Sequence, residues 1–266
     1  MRNLLISIFL LIFLFSNLAF SKNTKLDLSQ KYKNRIIWKF MNYDLPDGEW
    51  VYYNKYHFSV STIQINCISF IQEKLKNVIG HYEICEINNG GKHANLLGMY
   101  LNQELKRGKY DSCMLRPEYY YTKFWSKGMS MNCFLIRHVD VNKELNFPDD
   151  PEDVSSAKAK AYIKLNNLNI PKTMILSGHL YYSPNVRDKG ISIDYAVDPE
   201  FYGAPKTLLG DEIQSEYHRS NINNYPEKRK FMENWTKINA EKHQFFEINQ
   251  KARSHHKLDF TDIILN

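Results

Sequence analysis

The feature that most constrains this chain is a two-residue alternation of apolar and polar side chains, delivered in short pieces between turn residues. In KTMILSGHLYYSP (172–184) the even positions Met174, Leu176, Leu180 and Tyr182 are apolar, while Thr173, Ser177, His179 and Tyr181 take the odd ones. In GISIDYAVD (190–198) the parity reverses: Ile191, Ile193, Tyr195 and Val197 are odd, and Ser192, Asp194, Ala196 and Asp198 are even. Successive side chains of a strand point to opposite faces, so each piece reads as a strand with one face buried. Separated only by 184–189, the two read as an antiparallel hairpin. Directly paired residues share a face, so apolar faces match only when paired residue numbers add to an odd total. The most compact such register pairs Ser183 with Gly190, and it sets His179 against Asp194.

The stretch NCFLIRHVD (132–140) is a further strand, and alternation separates its two reactive residues. Cys133 shares the odd, mostly apolar face with Leu135 and Val139, whereas His138 shares the even face with Asp140. Cys133 and His138 are therefore not a catalytic dyad, and Cys133 reads as a core or disulfide cysteine. Arg137 falls on the apolar face and is expected to reach water from the strand end, with a buried anion contact as the alternative. If the strands at 131–141 and 172–183 are neighbours, His138, Asp140, His179 and Asp194 converge on one polar face. Two imidazoles and two carboxylates could hold zinc or another divalent ion (His138 and Asp140 as ligands) or perform acid–base chemistry (His179 and Asp194, near Tyr181). The competing reading is a solvated polar face whose ion pairs contribute little. Neither HExxH nor GxSxG accompanies the four residues.

The remaining pattern supplies the fold class. Arg35–Met41 and Val51–Tyr53 flank the turn LPDGEW (45–50) and read as paired strands. In 57–71 the apolar positions switch parity between Val60 and Ile63, which suggests a bulge near Ser61 and Thr62. Helical spacing appears over 94–105, ending at Lys106-Arg107-Gly108. It recurs over 150–168, where Asp150 caps, Pro151 occupies the first turn, and Val154, Ala157, Ala161, Leu165 and Leu168 form the buried stripe. A third helix starts near Pro226, with Phe231, Trp235, Ile238 and Phe245 on its inner face, and a short one fits 209–219. The acids of 149–153 lack the alternating ligands and central glycine of a calcium loop, and capping accounts for them. Strand, helix and strand over 131–183 suggest a parallel crossover followed by the hairpin. The expected fold is α+β: a mixed, mainly antiparallel sheet covered by three to four helices, with a strand–helix–strand–hairpin unit (131–198) and a C-terminal amphipathic helix.

The first 21 residues have Arg2, an apolar run from Leu4 to Phe15, a polar break at Ser16-Asn17, and small residues at Ala19 and Ser21. That is the layout of a secretory signal cleaved after Ser21. Leu4 to Phe20 is at the short edge of the roughly 17–25 residues that cross a bilayer, so a retained anchor is the alternative. The expected organisation is a signal peptide (1–21) and one globular domain (22–266), exported to a periplasmic or secreted location. The formal net charge is +6 with lysines interleaved among acids, which argues weakly for anionic surfaces and against nucleic acid. Four cysteines in an exported chain favour two disulfides. Of three pairings we expect Cys67–Cys85 and Cys113–Cys133, each closing a loop of about 20 residues and contributing about 3 kcal/mol. Four reduced, buried thiols are the alternative. No CxxC is present, so neither a zinc ribbon nor a dithiol redox motif is on offer.

Other candidates carry less. His255 and His256 lie in a basic tail, His218 solvates or caps a short helix, and Asn234-Trp235-Thr236 is a sequon within a helix. Tyr119, Tyr120, Tyr121, Phe124 and Trp125 could stack on sugars or bases, although strands favour such residues for packing. Between Pro226 and Lys257 eight Lys/Arg stand against four acids, a surplus that a solvated helix face explains. The function expected is an exported, non-catalytic binding or envelope-associated module with an unidentified ligand or envelope partner and no transmembrane span after signal cleavage. The alternative is a metal-assisted or histidine-dependent hydrolase built on the four His and Asp side chains.

Overall fold

The computed structural model describes residues 26–38, 41–60, 63–89, 113, 119–127, 130–146, 154–183, 189–209 and 213–254. Among these residues ten strands follow in chain order: β1 (Lys31–Tyr32), β2 (Arg35–Trp38), β3 (Met41–Asp44), β4 (Trp50–Val60), β5 (Ile63–Lys74), β6 (Asn77–Asn89), β7 (Tyr119–Lys127), β8 (Ser130–Asp140), β9 (Thr173–Ser183) and β10 (Lys189–Val197). Eight of them make one sheet in the order β1-β4-β5-β6-β10-β9-β8-β7, and β2 pairs with β3 as a separate hairpin. Between β8 and β9 lie two helices, α1 (Val141–Leu145) and α2 (Val154–Asn166). The long C-terminal helix α3 runs Pro226–Ser254. The expected helix over 94–105, the Asp150 cap with the acids of 149–153, the tail histidines 255–256 and the segment 1–21 fall outside the described residues.

The sheet is antiparallel at every strand pair, so the expected mixed sheet and parallel crossover are corrected. Asp140, the last residue of β8, pairs with Thr173, the first of β9. The excursion through α1 and α2 therefore leaves and re-enters at the same end of the sheet, which requires antiparallel neighbours. A lone parallel bridge, Asn77 to Asn169, ties the segment after α2 to the start of β6. The parity switch near 61–62 also has a different cause. Val60 pairs with Ile63 and Phe58 with Ile65, so the chain reverses there between β4 and β5 instead of bulging. The bulge of β4 lies earlier, between Tyr52 and Asn54. Likewise 35–38 pairs with 41–44 rather than with 51–53, which joins the large sheet through β1 and β5.

Both faces of the sheet are covered. On the first face lies the larger core, in which Trp50, Tyr82, Tyr195 and Trp235 form an edge-and-tilt ladder with centroids 5.3–6.0 Å apart. Trp50 needs a glycine beneath it, because a Cβ on Gly80 would lie 2.8 Å from its ring. Helix α3, the loop before it and the β2–β3 hairpin contribute to this core. On the second face, α1 and α2 close one end over Val51, Tyr53, Ile71, Met174 and Ala196. The other end is closed by Met131, Cys133, Leu135, Tyr182 and Cys113.

Both disulfides join the expected partners. Cys67 and Cys85 are directly opposite on β5 and β6, with Cα atoms 4.1 Å apart, and Cys113 is bonded to Cys133. Among the described residues no cysteine is free, and no helix is long and apolar enough to cross a membrane.

The helical faces differ from expectation in an instructive way. In α2, Leu165 is 84% exposed, and Ala157 and Ala161 are exposed too. The inner face is instead Ala159, Tyr162 and Ile163, with Tyr162 against Tyr53 at 5.5 Å. Leu168, just past the helix, is buried as expected, but on the helix itself a large ring with a partner outweighs two alanines, which bury little apolar area. The segment around 213–218 forms turns, not a helix, and Ser215, Glu216, Tyr217 and His218 are all buried in succession. A helix would turn some of these four outward.

Candidate functional site

The four His and Asp residues singled out by pattern do not assemble as one cluster. In the hairpin, Lys189 pairs with Ser183, so paired numbers sum to an even total and the expected register is off by one. His179 is opposite Ile193, and Asp194 is opposite Gly178. The slip puts His179 on the first face and Asp194 on the second. His138 does share the first face with His179, but it pairs with Ile175 while His179 pairs with Phe134, four positions along β8. That offset is about 13 Å along a strand. His138 is buried with its ring edge-on to His218, 5.7 Å between centroids, and His218 Nδ1 is 2.6 Å from Ser220 Oγ. Asp140 is the N-cap of α1 and accepts a hydrogen bond from the Lys143 amide at 3.1 Å. Arg137 reaches Glu144 at 3.2 Å from the second face. Cys133 is held in its disulfide, away from His138.

What the sheet does assemble is a buried polar seam beneath α3. The residues that α3 turns inward are Lys228, Met232, Trp235, Asn239, His243 and Gln250. Their spacing of three or four keeps them on one helix face, with half-buried Phe246 among them. His243 Nδ1 lies 3.1 Å from His179 Nδ1, and both rings stack on Phe134 at 5.2 Å. Since one nitrogen must donate and the other accept, the pair is joined as two neutral imidazoles in complementary tautomers. Burial pushes His179 well below the usual histidine value, and the neighbouring His243 and Lys242 add to that. His243 is lowered to about 4, again chiefly by burial, with Lys123 assisting and Glu247 opposing. One turn away, Ser177 Oγ is 3.2 Å from both the Tyr195 carbonyl and Asn239 Oδ1, and Asn239 Nδ2 donates to the Trp235 carbonyl. At the start of the helix Lys228 forms a buried ion pair with Glu216 and donates to the Lys206 carbonyl at 2.9 Å. The expected stripe is accordingly displaced: Trp235 is buried and Phe231 half-buried, but Ile238 and Phe245 are about half exposed.

On the second face, between its two apolar clusters, Glu83 and Asp194 are direct cross-strand neighbours. Tyr56 and Ser69 donate to Glu83 at 2.9 and 2.7 Å. Beside them the His81 ring meets the Tyr53 hydroxyl at 2.9 Å, and burial lowers its pKa. Among the described residues, the grouping of His, Cys, Asp and Glu atoms close enough to share a metal ion is Cys67, Glu83 and Cys85. Its two sulfurs are bonded to each other.

A cleft with a volume of about 310 Å³ opens between α1 and α2. Its α1 wall is Asn142, Leu145 and Asn146, and its α2 wall is Lys160, Ile163, Lys164 and Asn167, each set at helical spacing on one face. Leu168 and Ile170 complete the lining. Helix α2 ends where Asn167 takes a left-handed conformation (φ 51°), with Leu168 N–H donating to the Ile163 carbonyl and Asn167 N–H to that of Lys164. That double bond pattern is a Schellman stop, and it turns Leu168 and Ile170 back under the helix.

Comparison of the chain with protein families, with curated proteins and with solved structures gives no match. Sequence reasoning missed His243 and Asn239, and it missed Lys160, Lys164 and Asn167. A signal for the first pair was present: both residues are in helical phase with Met232, Trp235 and Phe246. The second set carried only a charge bias, three lysines and no acid over 154–166.

Proposed function

We propose that the protein is an exported binding module, a disulfide-stapled antiparallel sheet with a small-molecule cleft between α1 and α2. The observation that carries this reading is the cleft: apolar Leu145, Ile163, Leu168 and Ile170 lie below a rim of exposed amides and ammonium groups. Small-molecule sites combine an apolar lining with a few polar groups that fix orientation, in volumes of about 300–1,000 Å³. The two disulfides support export, and removal of 1–21 would leave one domain over 22–266. The sheet histidines support binding over hydrolysis, because His179 is sealed against His243 beneath α3 and Asp194 lies on the other face.

The test is extraction and mass spectrometry of small molecules from mature protein expressed in an oxidising compartment. The reading expects a species that is lost from an Ile163→Trp variant, in which the indole fills the cleft. A measured hydrolytic activity abolished by both His179→Ala and Asp194→Ala would replace it with the hydrolase reading. Mass spectrometry of the mature N-terminus checks the cleavage after Ser21.

A further inference from the structure

Resting on that binding reading, we infer that the α1–α2 cleft takes a small anionic amphiphile, with its carboxylate or phosphate on Lys160 and Lys164 and its apolar part on Leu145, Ile163 and Ile170. The two ammonium groups are one helical turn apart, an arrangement of like charges that destabilises a helix by a few tenths of a kcal/mol. Neither makes an ion pair with any described residue, and among the described residues no carboxylate lines the cleft. The rest of α2 adds no compensation, since its other charged residue is Lys158, which donates to the Lys55 carbonyl at 3.1 Å. Helix C-termini favour cations, which gives Lys164 a structural reason but leaves Lys160, nearer the middle, without one. An anion between them would relieve the repulsion and gain two charge-assisted hydrogen bonds.

The rim amides extend the match. The side chains of Asn142 and Asn167 make no hydrogen bond with described residues, so both carboxamides can donate to a bound headgroup. Asn146, by contrast, is committed through Nδ2 to the Asn142 carbonyl at 2.8 Å. Below this polar rim, Leu168 is buried and Ile163 and Ile170 are half-buried, forming an apolar floor in the cleft that the two lysines also line. A free inorganic anion would leave that floor wet, and a neutral hydrocarbon would leave the ammonium groups unmatched. A ligand with one anionic end and a short apolar chain satisfies both, and the modest volume selects short chains over long ones.

The experiment is titration of the mature, disulfide-intact protein with octyl phosphate and octanoate, read by chemical-shift changes at the methyl groups of Leu145, Ile163 and Ile170. Octanol, octyltrimethylammonium and inorganic phosphate serve as the neutral, cationic and headgroup-only arms. The inference expects octyl phosphate or octanoate to bind at least about tenfold more tightly than any of the three. A Lys160→Gln/Lys164→Gln variant should lose about tenfold in affinity, while Lys158→Gln, off the cleft, should not. The exposed lysines can be changed without a folding penalty, so an unchanged thermal midpoint separates lost binding from lost structure. Octanol binding as tightly as octyl phosphate, unaffected by the double variant, would overturn the anionic class and leave the cleft as a binding site. Absence of any shift at the three methyl residues with all probes would sink the cleft itself. Binding to anionic vesicles without binding to the free amphiphiles would also overturn the inference, making the lysines a membrane-contact patch.

Discussion

The two faces of the sheet are held by different chemistry. Beneath α3, the first face mixes an aromatic core with paired polar groups: His179 with His243, Ser177 with Asn239, and Lys228 with Glu216. The second face divides its apolar contacts into two end clusters and adds a cross-strand disulfide, with Glu83 and Asp194 between them. A buried polar group stabilises only when its partner is present, whereas an apolar contact is lost piecemeal. The first face should therefore be more specific in how it seats its helix and more brittle to single substitutions.

The sharpest way to break that contrast is at the ion pair. Glu216→Ala leaves the Lys228 ammonium buried without a counter-charge, and unfolding in urea should show a loss of about 3–5 kcal/mol. Replacing both members, with Glu216→Leu and Lys228→Met, should recover most of that loss, because the double change also removes the desolvation of two charges. A single variant within about 1 kcal/mol of the parent would mean that the pair is not desolvated. The matching change on the second face is Cys67→Ala with Cys85→Ala. Its expected loss is smaller, about 3 kcal/mol, since the bridge acts mainly by restricting the unfolded chain. Reducing agent should destabilise the parent by a similar or larger amount and leave α3's seat intact.

Acid should load the first face more heavily, since it buries the His179–His243 pair while the second face has His81, also depressed by burial. The folded values of His179 and His243 are depressed, while the unfolded chain titrates near the usual 6.5. As pH falls below 6.5 the unfolded state binds protons that the folded state refuses, so stability falls with it. For His243, with a folded value of about 4, the loss should be about 2–3 kcal/mol between pH 6.5 and 4. Beyond that point the Nδ1–Nδ1 contact fails, because two imidazolium rings would point N–H groups at each other. A His179→Phe/His243→Phe variant should flatten this part of the profile while keeping the stack on Phe134. An unchanged acid profile in that variant would assign the sensitivity to other groups.

How far these features were legible follows from the same contrast. Strand identity was readable, because β9 and β10 alternate over most of their length and β8 is a short run rich in strand-forming residues, and the disulfide pairs followed from cysteine spacing. Register was not. Matching apolar faces presumes that one face is wet, but the odd side chains of β9, including His179 and Ser177, lie under α3 and are as buried as the even ones. With both faces covered, parity loses its power to choose between sums of 372 and 373, and Asp194 moves to the far side. Helix faces failed for a related reason: polarity marks the solvent side only where buried polar groups lack partners. Asn239 and His243 point inward because Ser177 and His179 await them, and no reading of α3 by itself contains those partners. The cleft was illegible for another reason, since two of its lining residues, Leu168 and Ile170, are turned back under α2 by the Asn167 stop, which the helical pattern does not mark.

The smallest expected effect tests how the second face fixes its own turns. The β5–β6 reversal carries Leu75 and Lys76 at φ 51° and 64°, a left-handed pair for which Asn-Gly is the favoured sequence. Leu75 is 87% exposed, so its side chain has little packing to lose. The conformation is imposed from outside: Asn169 N–H donates to the Lys76 carbonyl at 2.8 Å, Val78 N–H to the Asn169 carbonyl at 2.9 Å, and Lys76 Nζ to that of Asn166 at 3.1 Å. These bonds clamp the turn to the segment that ends α2, and they hold it against the preference of its residues. Leu75→Asn should therefore raise stability by about 0.5–1 kcal/mol, because asparagine tolerates the left-handed region and every clamping bond is retained. Leu75→Gly should gain less, since glycine gives back part of the relief as unfolded-state entropy. Chemical denaturation of the three proteins ranks them directly. An asparagine variant no more stable than the parent would show that this turn stores no strain, and that the second face selects its geometry through local sequence instead.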